Sequence, residues 1–300
     1  MTNYDCVIVG GGIAGLQAAI QLGRYNHHVA VLDDESGRST LCRSYHNILG
    51  WPDGISGQVL RETGRRQAER LGVVFIRTRI VDAIRIDDRF ELISEDGERY
   101  CGKRILLATG VVDRVPGFAE LRPCLGLCVY ICPDCDGYEV KNQRTIVLGS
   151  GKSGADMALA LLYWTKDIVY VNHEMTAIDS ERMDALHGNG ITYIESAVRR
   201  ALVDGDRLNG LELVNGDVVS GSKAFLAFGG NQVQSSLAAK LGVELLQNRH
   251  VAADARTKMT NIKHVWAAGD VVAHSEQLTI AMGEGSQAAI WMHKSLMNPS

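Results

Sequence analysis

Short apolar runs that close on small residues recur along the chain. Asp5-Cys6-Val7-Ile8-Val9 has the unbroken pattern of a strand buried on both faces of a parallel sheet. It leads into Gly10-Gly11-Gly12-Ile13-Ala14-Gly15, a helical stretch to about Leu22, and a second strand, His28 to Leu32, closing on Asp33-Asp34. Residues 37–57 read as loop, with Arg38, Asn47, Trp51 and Pro52, and a helix is predicted over 57–71. Runs at Val73-Ile76, Val81-Ile86 and Phe90-Ile93 predict antiparallel strands. Arg104 to Gly110 is another buried strand ending on the turn Ala108-Thr109-Gly110.

After a connector holding Pro116 and Pro123, the opening theme returns. Thr145-Leu148 predicts a strand, Gly149-Ser150-Gly151-Lys152-Ser153-Gly154 a turn, Ala155 to Tyr163 a helix, and Asp167 to Val171 the next strand. Further strand-and-turn elements are expected at Ala224-Gly230 and Val265-Asp270, before a final helix from Ala281 to Lys294 whose start lies near Thr279.

Each glycine cluster follows a strand and opens a helix, the context a dinucleotide fingerprint requires. Gly10 permits the tight turn, Gly12 lets backbone approach a pyrophosphate, and Gly15 allows close helix packing. Asp33, about twenty residues on, is placed to accept from ribose hydroxyls. Two such units give the expected fold: α/β, with two Rossmann-like (three-layer ββα) nucleotide-binding domains, the second inserted in the first. The expected bounds are 1–112 with 236–300 for the first domain and 113–235 for the second.

Composition narrows the classes. The 300 residues are 46% hydrophobic and 22% charged, with a net charge of -4, which offers no basic excess for nucleic acid. No apolar run nears the roughly 18 residues of a membrane span. The start lacks a basic leader, and seven cysteines with one local pair suit a reducing, cytoplasmic setting.

That local pair carries the chemistry. Cys132-Pro133-Asp134-Cys135-Asp136-Gly137 sets two thiols one turn apart, with Asp136 as an adjacent general acid and base. Cys6, Cys42, Cys101 and Cys124 read as small apolar residues. A structural zinc would want a second ligand pair, which the chain lacks. Cys128, Cys132 and Cys135 also spell CxxxCxxC, an iron-sulfur pattern, but the nucleotide-type start argues against the barrel it needs. No metal is expected.

Dithiol, two fingerprints and a late Gly-Asp, in this order, resemble the low-molecular-weight thioredoxin reductases over nearly the whole chain. The resemblance implies FAD, its ADP half on Gly10, Gly12, Ile13, Ala14, Gly15 and Asp33. It further implies contacts from Asn47, Thr109, Gly110, Gly269, Asp270 and Gln277. Cys135 would face the flavin, Cys132 would attack a thioredoxin-like partner's disulfide, and Asp136 would carry the proton. A homodimer is implied by the family alone.

One departure is specific. Members that use NADPH carry His-Arg-Arg and another Arg four residues on; aligned on His173, these positions hold Glu174, Met175 and Asp179. Acids in place of arginines cost on the order of several kcal/mol against a 2′-phosphate. The resemblance is therefore to members without the NADPH motif, deeply rooted cyanobacterial-type or ferredoxin-dependent reductases, with ferredoxin or NADH as donor. The alternatives are an oxygen-dependent small-molecule dithiol oxidase of the gliotoxin or holomycin type and a non-catalytic flavin redox sensor. Such oxidases carry histidine after the second cysteine, where this chain has Asp136.

Overall fold

The computed structural model describes residues 3–273 and 275–298; the expected domain ends Met1 and Ser300 lie outside them. Two compact units form: Met1–Thr40, Gly57–Val112 and Gln232–Ser300 make the first, and Leu41–Ser56 with Asp113–Asn231 the second.

The first unit opens with β1 (Asn3–Val9), α1 (Ile13–Arg24) and β2 (Val29–Asp33). Cys6, Val7 and Ile8 have no exposed surface, as a strand covered on both faces requires. On α1, Ala14, Ala18, Ala19 and Leu22 are buried at helical spacing. Next come α2 (Gly57–Glu69), β3 (Val74–Arg77), β4 (Ile80–Ile86), β5 (Arg89–Ser94), β6 (Arg99–Leu107) and β7 (Val111–Val112).

The second unit contains β8 (Val129–Tyr130), α3 (Pro133–Asp136), β9 (Thr145–Gly149), α4 (Gly151–Leu161), β10 (Ile168–Asn172), α5 (Ser180–Gly188) and β11 (Thr192–Glu195). It ends with β12 (Val198–Asp204), β13 (Arg207–Leu213), β14 (Val218–Ser220) and β15 (Lys223–Ala227). The chain then returns to the first unit as β16 (Gln232–Val233), α6 (Ser236–Lys240), β17 (Val265–Ala267) and α7 (Leu278–Met297).

In the first unit the strand order is β3-β2-β1-β6-β5-β4, with β17 also on β6. In the second it is β11-β10-β9-β15-β8, all pairs parallel, beside the antiparallel β12-β13-β14. The first sheet is parallel across β3, β2, β1, β6 and β17 with β5 and β4 added antiparallel, and both units are of the Rossmann type.

Two expectations change. Val73-Ile76 is not antiparallel: β3 runs parallel to β2, because α2 carries the chain back between them. Residues 41–56, expected in the first domain, pack with the second unit. The Arg43 amide donates to the Leu125 carbonyl at 3.0 Å, and Leu41 joins the apolar cluster of Leu121, Cys124 and Leu125.

Candidate functional site

In the first unit the glycine turn is shaped by contacts that exclude side chains. Gly10 has φ +103°, and a Cβ there would overlap the Ala108 carbonyl; one on Gly15 would overlap the Gly10 carbonyl. Gly12 differs. It sits just before α1 with no side-chain cap, and a Cβ on it would meet nothing within 4 Å. Free space over the start of a twelve-residue helix is what an anion needs.

Asp33 stands at the tip of β2, its carboxylate beside Gly11. Arg61 of α2 donates to Asp33 Oδ2 at 2.9 Å and to the Gly11 carbonyl at 3.0 Å. A cavity of about 370 Å³ lies here, lined in part by Gly11, Asp33, Glu35, Thr40, Arg61 and Arg77.

Of the other expected contacts, Thr109 and Gly269 lie against the glycine turn and the start of α1. Thr109 abuts Gly10, and its hydroxyl donates to the Gln234 carbonyl at 2.6 Å; Gly110 has φ +68°. Gly269, φ +77°, packs on Ala14 and donates its N–H to Glu284 Oε2 at 2.9 Å. Asp270 accepts from Arg38 at 3.0 Å, and Gln277 immediately precedes α7. Asn47 is exposed, on the 41–56 segment that packs with the second unit.

The second unit holds the cysteines. Cys132 precedes α3 in extended conformation with Pro133 at the first helical position, where a missing N–H costs nothing. Helix geometry brings the Cα atoms of Cys132 and Cys135 to 5.3 Å, and the two are joined as a disulfide. The Cys135 amide donates to Cys132 Sγ at 3.2 Å, a contact that would favour a thiolate on Cys132 after reduction.

Residues 4–285 match the family described as pyridine nucleotide-disulphide oxidoreductase. The chain belongs to that family. It is 32% identical over 178 residues to the "Probable thioredoxin reductase" of Arthroderma benhamiae, a match covering 57% of this chain but only 44% of that protein. It is 27% identical to the thioredoxin reductase of Mycolicibacterium smegmatis, covering 96% of this chain and 95% of that one. The crystal structure of HlmI superposes with TM-score 0.86 at 31% identity, covering 98% and 93%.

As a pyridine nucleotide-disulphide oxidoreductase of the thioredoxin reductase kind, the chain is a flavin-dependent enzyme with FAD as its cofactor. The open face of Gly12, the uncapped start of α1 and the carboxylate at the tip of β2 fit the pyrophosphate and ribose of that group.

Cys132 and Cys135 are joined as a disulfide, and the other five cysteines are free. Burial pushes the Cys124 thiol up to about 12, as it does Cys42, where the Asp136 carboxylate adds to the effect. Such thiols stay protonated and unreactive. Cys128 donates to the Asp206 carbonyl at 3.2 Å, and among the described residues no three His, Cys, Asp or Glu side chains form a group fit for a metal.

Asp136 is the opposite case. Burial, with the Glu139 carboxylate adding and Lys223 opposing, raises its pKa to about 7. A carboxyl so tuned both gives and takes a proton near neutrality. Sequence reasoning found Asp136 by its position but had no signal for its shift, nor for Arg61 and Glu284, which reach the site through tertiary packing.

The residues standing where NADPH-using relatives carry arginines have their own partners. Glu174 pairs with Arg114. Asp179 caps α5 and pairs with Arg182 at 2.5 Å, while Arg182 also holds Asp156 at 2.7 Å. Met175 is exposed. His173 accepts from the Val198 amide at 2.8 Å, a structural role.

Proposed function

We propose that the chain passes electrons from a donor other than NADPH, with ferredoxin and NADH ranked first, through FAD to the Cys132–Cys135 disulfide and on to a thioredoxin-like protein. The Cys132–Cys135 disulfide, with Asp136 next in the chain and its carboxyl raised to about 7, is the observation that carries the disulfide chemistry. The acids at 174 and 179, each already salt-bridged, support the exclusion of a 2′-phosphate.

In this reading FAD is held by Gly10, Gly12, Ile13, Ala14, Gly15, Asp33, Thr109, Gly110, Gly269, Asp270 and Gln277. Bound there, FAD would supply the two-electron chemistry that links the donor to the Cys132–Cys135 disulfide. The Cys132 thiolate then attacks the partner's disulfide, forming a mixed disulfide and releasing one partner thiolate, which is protonated. Cys135 attacks Cys132 Sγ, re-forming the Cys132–Cys135 bond and releasing the second partner thiol. Asp136 supplies and recovers the proton. Homodimer assembly and a cytoplasmic setting belong to the same proposal.

The test is anaerobic mixing of the yellow protein with NADPH, NADH or reduced ferredoxin, followed by the partner disulfide. Bleaching by ferredoxin or NADH and partner reduction that Cys132→Ser or Cys135→Ser abolishes, with flavin retained, would bear the proposal out. Rapid bleaching by NADPH would overturn the donor assignment. Turnover retained in both serine variants would overturn the dithiol assignment, and peroxide formed from a small dithiol would favour the oxidase.

A further inference from the structure

The two glycine turns match in sequence but not in what faces them. In the first unit Gly12 opens on free space; in the second, a Cβ on Gly151 would meet the Thr176 side chain at 3.0 Å. The Gly151 N–H, the first free donor of α4, is already taken by Asn172 Oδ1 at 3.0 Å. Asn172 is fully buried and also donates to the Thr176 carbonyl at 2.8 Å, so it pins the segment after β10 against the turn. Thr176 and Ser150 hydroxyls meet at 2.9 Å.

Charge completes the closure. In a parallel sheet of this kind the ligand crevice opens outside the carboxyl ends of the strands where their order reverses, here β9 and β15. Arg114 lies at that place, donating to the Phe228 carbonyl just after β15 at 3.4 Å and stacking over the Phe228 ring at 5.8 Å. Its other nitrogen pairs with Glu174, and Ser150 of the glycine turn, followed by Arg114, holds that carboxyl below its ordinary range. A carboxylate paired with an arginine at the mouth of this crevice takes the cationic partner that a nucleotide phosphate would otherwise seek.

We infer that Glu174, paired with Arg114 beside a turn already closed by Asn172 and Thr176, is an internal stand-in for phosphate that closes the second crevice to NADH as well as to NADPH. This rests on the proposed non-NADPH donor and narrows it: of the two donors ranked first, NADH drops out, leaving an electron donor that needs no dinucleotide site. Glu174 is thus a specificity-determining residue, acting by exclusion.

The experiment uses the full-length holoprotein, with NADH and NADPH titrated calorimetrically and anaerobic flavin bleaching as the second readout. The expected result is no saturable binding by the wild type, and for Glu174→Ala at least a roughly tenfold gain in NADH affinity, the worth of a single freed charged contact. The gain should vanish in the Glu174→Ala/Arg114→Ala double variant, since Arg114 would be the group released. Both side chains are partly exposed, so melting temperatures should stay close to the wild type and report on folding independently. Tight NADH binding by the wild type that Glu174→Ala weakens would make Glu174 a ribose ligand and overturn the inference while leaving NADPH exclusion intact. Binding unchanged in Glu174→Ala would overturn it too. NADPH reduction of the wild type would overturn both it and the proposed donor class.

Discussion

Arg61 and Asp33 are joined at 2.9 Å across the glycine turn, and the same guanidinium reaches the Gly11 carbonyl at 3.0 Å. One side chain therefore fixes both the turn and the acid proposed to hold the ribose. Both partners are largely buried, so the pair is sheltered from screening. Arg61→Ala should weaken FAD binding about tenfold, the worth of one charge-assisted hydrogen bond of about 1.4 kcal/mol. Equilibrium binding of FAD to apoprotein, read by flavin fluorescence, checks this. Arg61→Lys should recover only part, because an ammonium cannot make the forked contact.

The loop before Asp270 has a similar support. Glu284 on α7 accepts from the Gly269 N–H through one oxygen and from Lys258 at 2.8 Å through the other, and both charged side chains are buried. Removing the cation alone strands a buried carboxylate. Lys258→Met should lower unfolding stability by about 3–5 kcal/mol, whereas a change of both residues to apolar groups should cost less. Denaturant titration of the single and double variants measures the difference. A larger loss in the double variant than in Lys258→Met would argue that the Gly269 contact, rather than the charge pair, is the source.

Glycine substitutions separate ligand contact from packing. Gly12→Ala places its methyl in open space at an ordinary φ of -72°, so the apoprotein should melt within about 1 kcal/mol of wild type while FAD affinity falls sharply. Gly15→Ala drives a methyl into the Gly10 carbonyl and should lose stability before flavin binding can be judged. Thermal melts with and without FAD distinguish the two. If Gly12→Ala binds FAD normally, pyrophosphate does not lie over that turn.

What was legible in the sequence was local. The run Cys6 to Val9, the glycines that follow, Asp33 at the next strand end and the CxxC-Asp spacing are each set by a few adjacent residues, and each lies in the element expected of it. Contacts made at long range were not legible. Arg61 is 28 residues from Asp33, and Glu284 is 15 from Gly269; no periodicity connects them. The packing of residues 41–56 with the second unit rests on the Arg43–Leu125 backbone contact and on Leu41 in an apolar cluster, neither of which a local pattern marks. The pairing direction of β3 follows from the path of α2, since a short apolar run fits either ladder.

Asp136 ties stability to pH with a sign opposite to that of most carboxylates. Its value near 7 in the folded protein lies above the ordinary 3.8, so between these limits the native state holds a proton that the unfolded chain has released. The stabilisation is complete below about pH 4 and is lost as pH rises through 7. Asp136→Asn removes the ionisation, so its stability should not show that decline, and it should equal or exceed wild-type stability above pH 7. Catalysis should move the other way. Without a group that can both donate and accept a proton, disulfide exchange should slow by roughly 10²–10⁴-fold, and the pH–rate limb near 7 should disappear. Chemical denaturation and partner-disulfide reduction, each followed from pH 4 to 9 on the two proteins, give both readouts. A limb near 7 that persists in Asp136→Asn would overturn the assignment of that ionisation to Asp136.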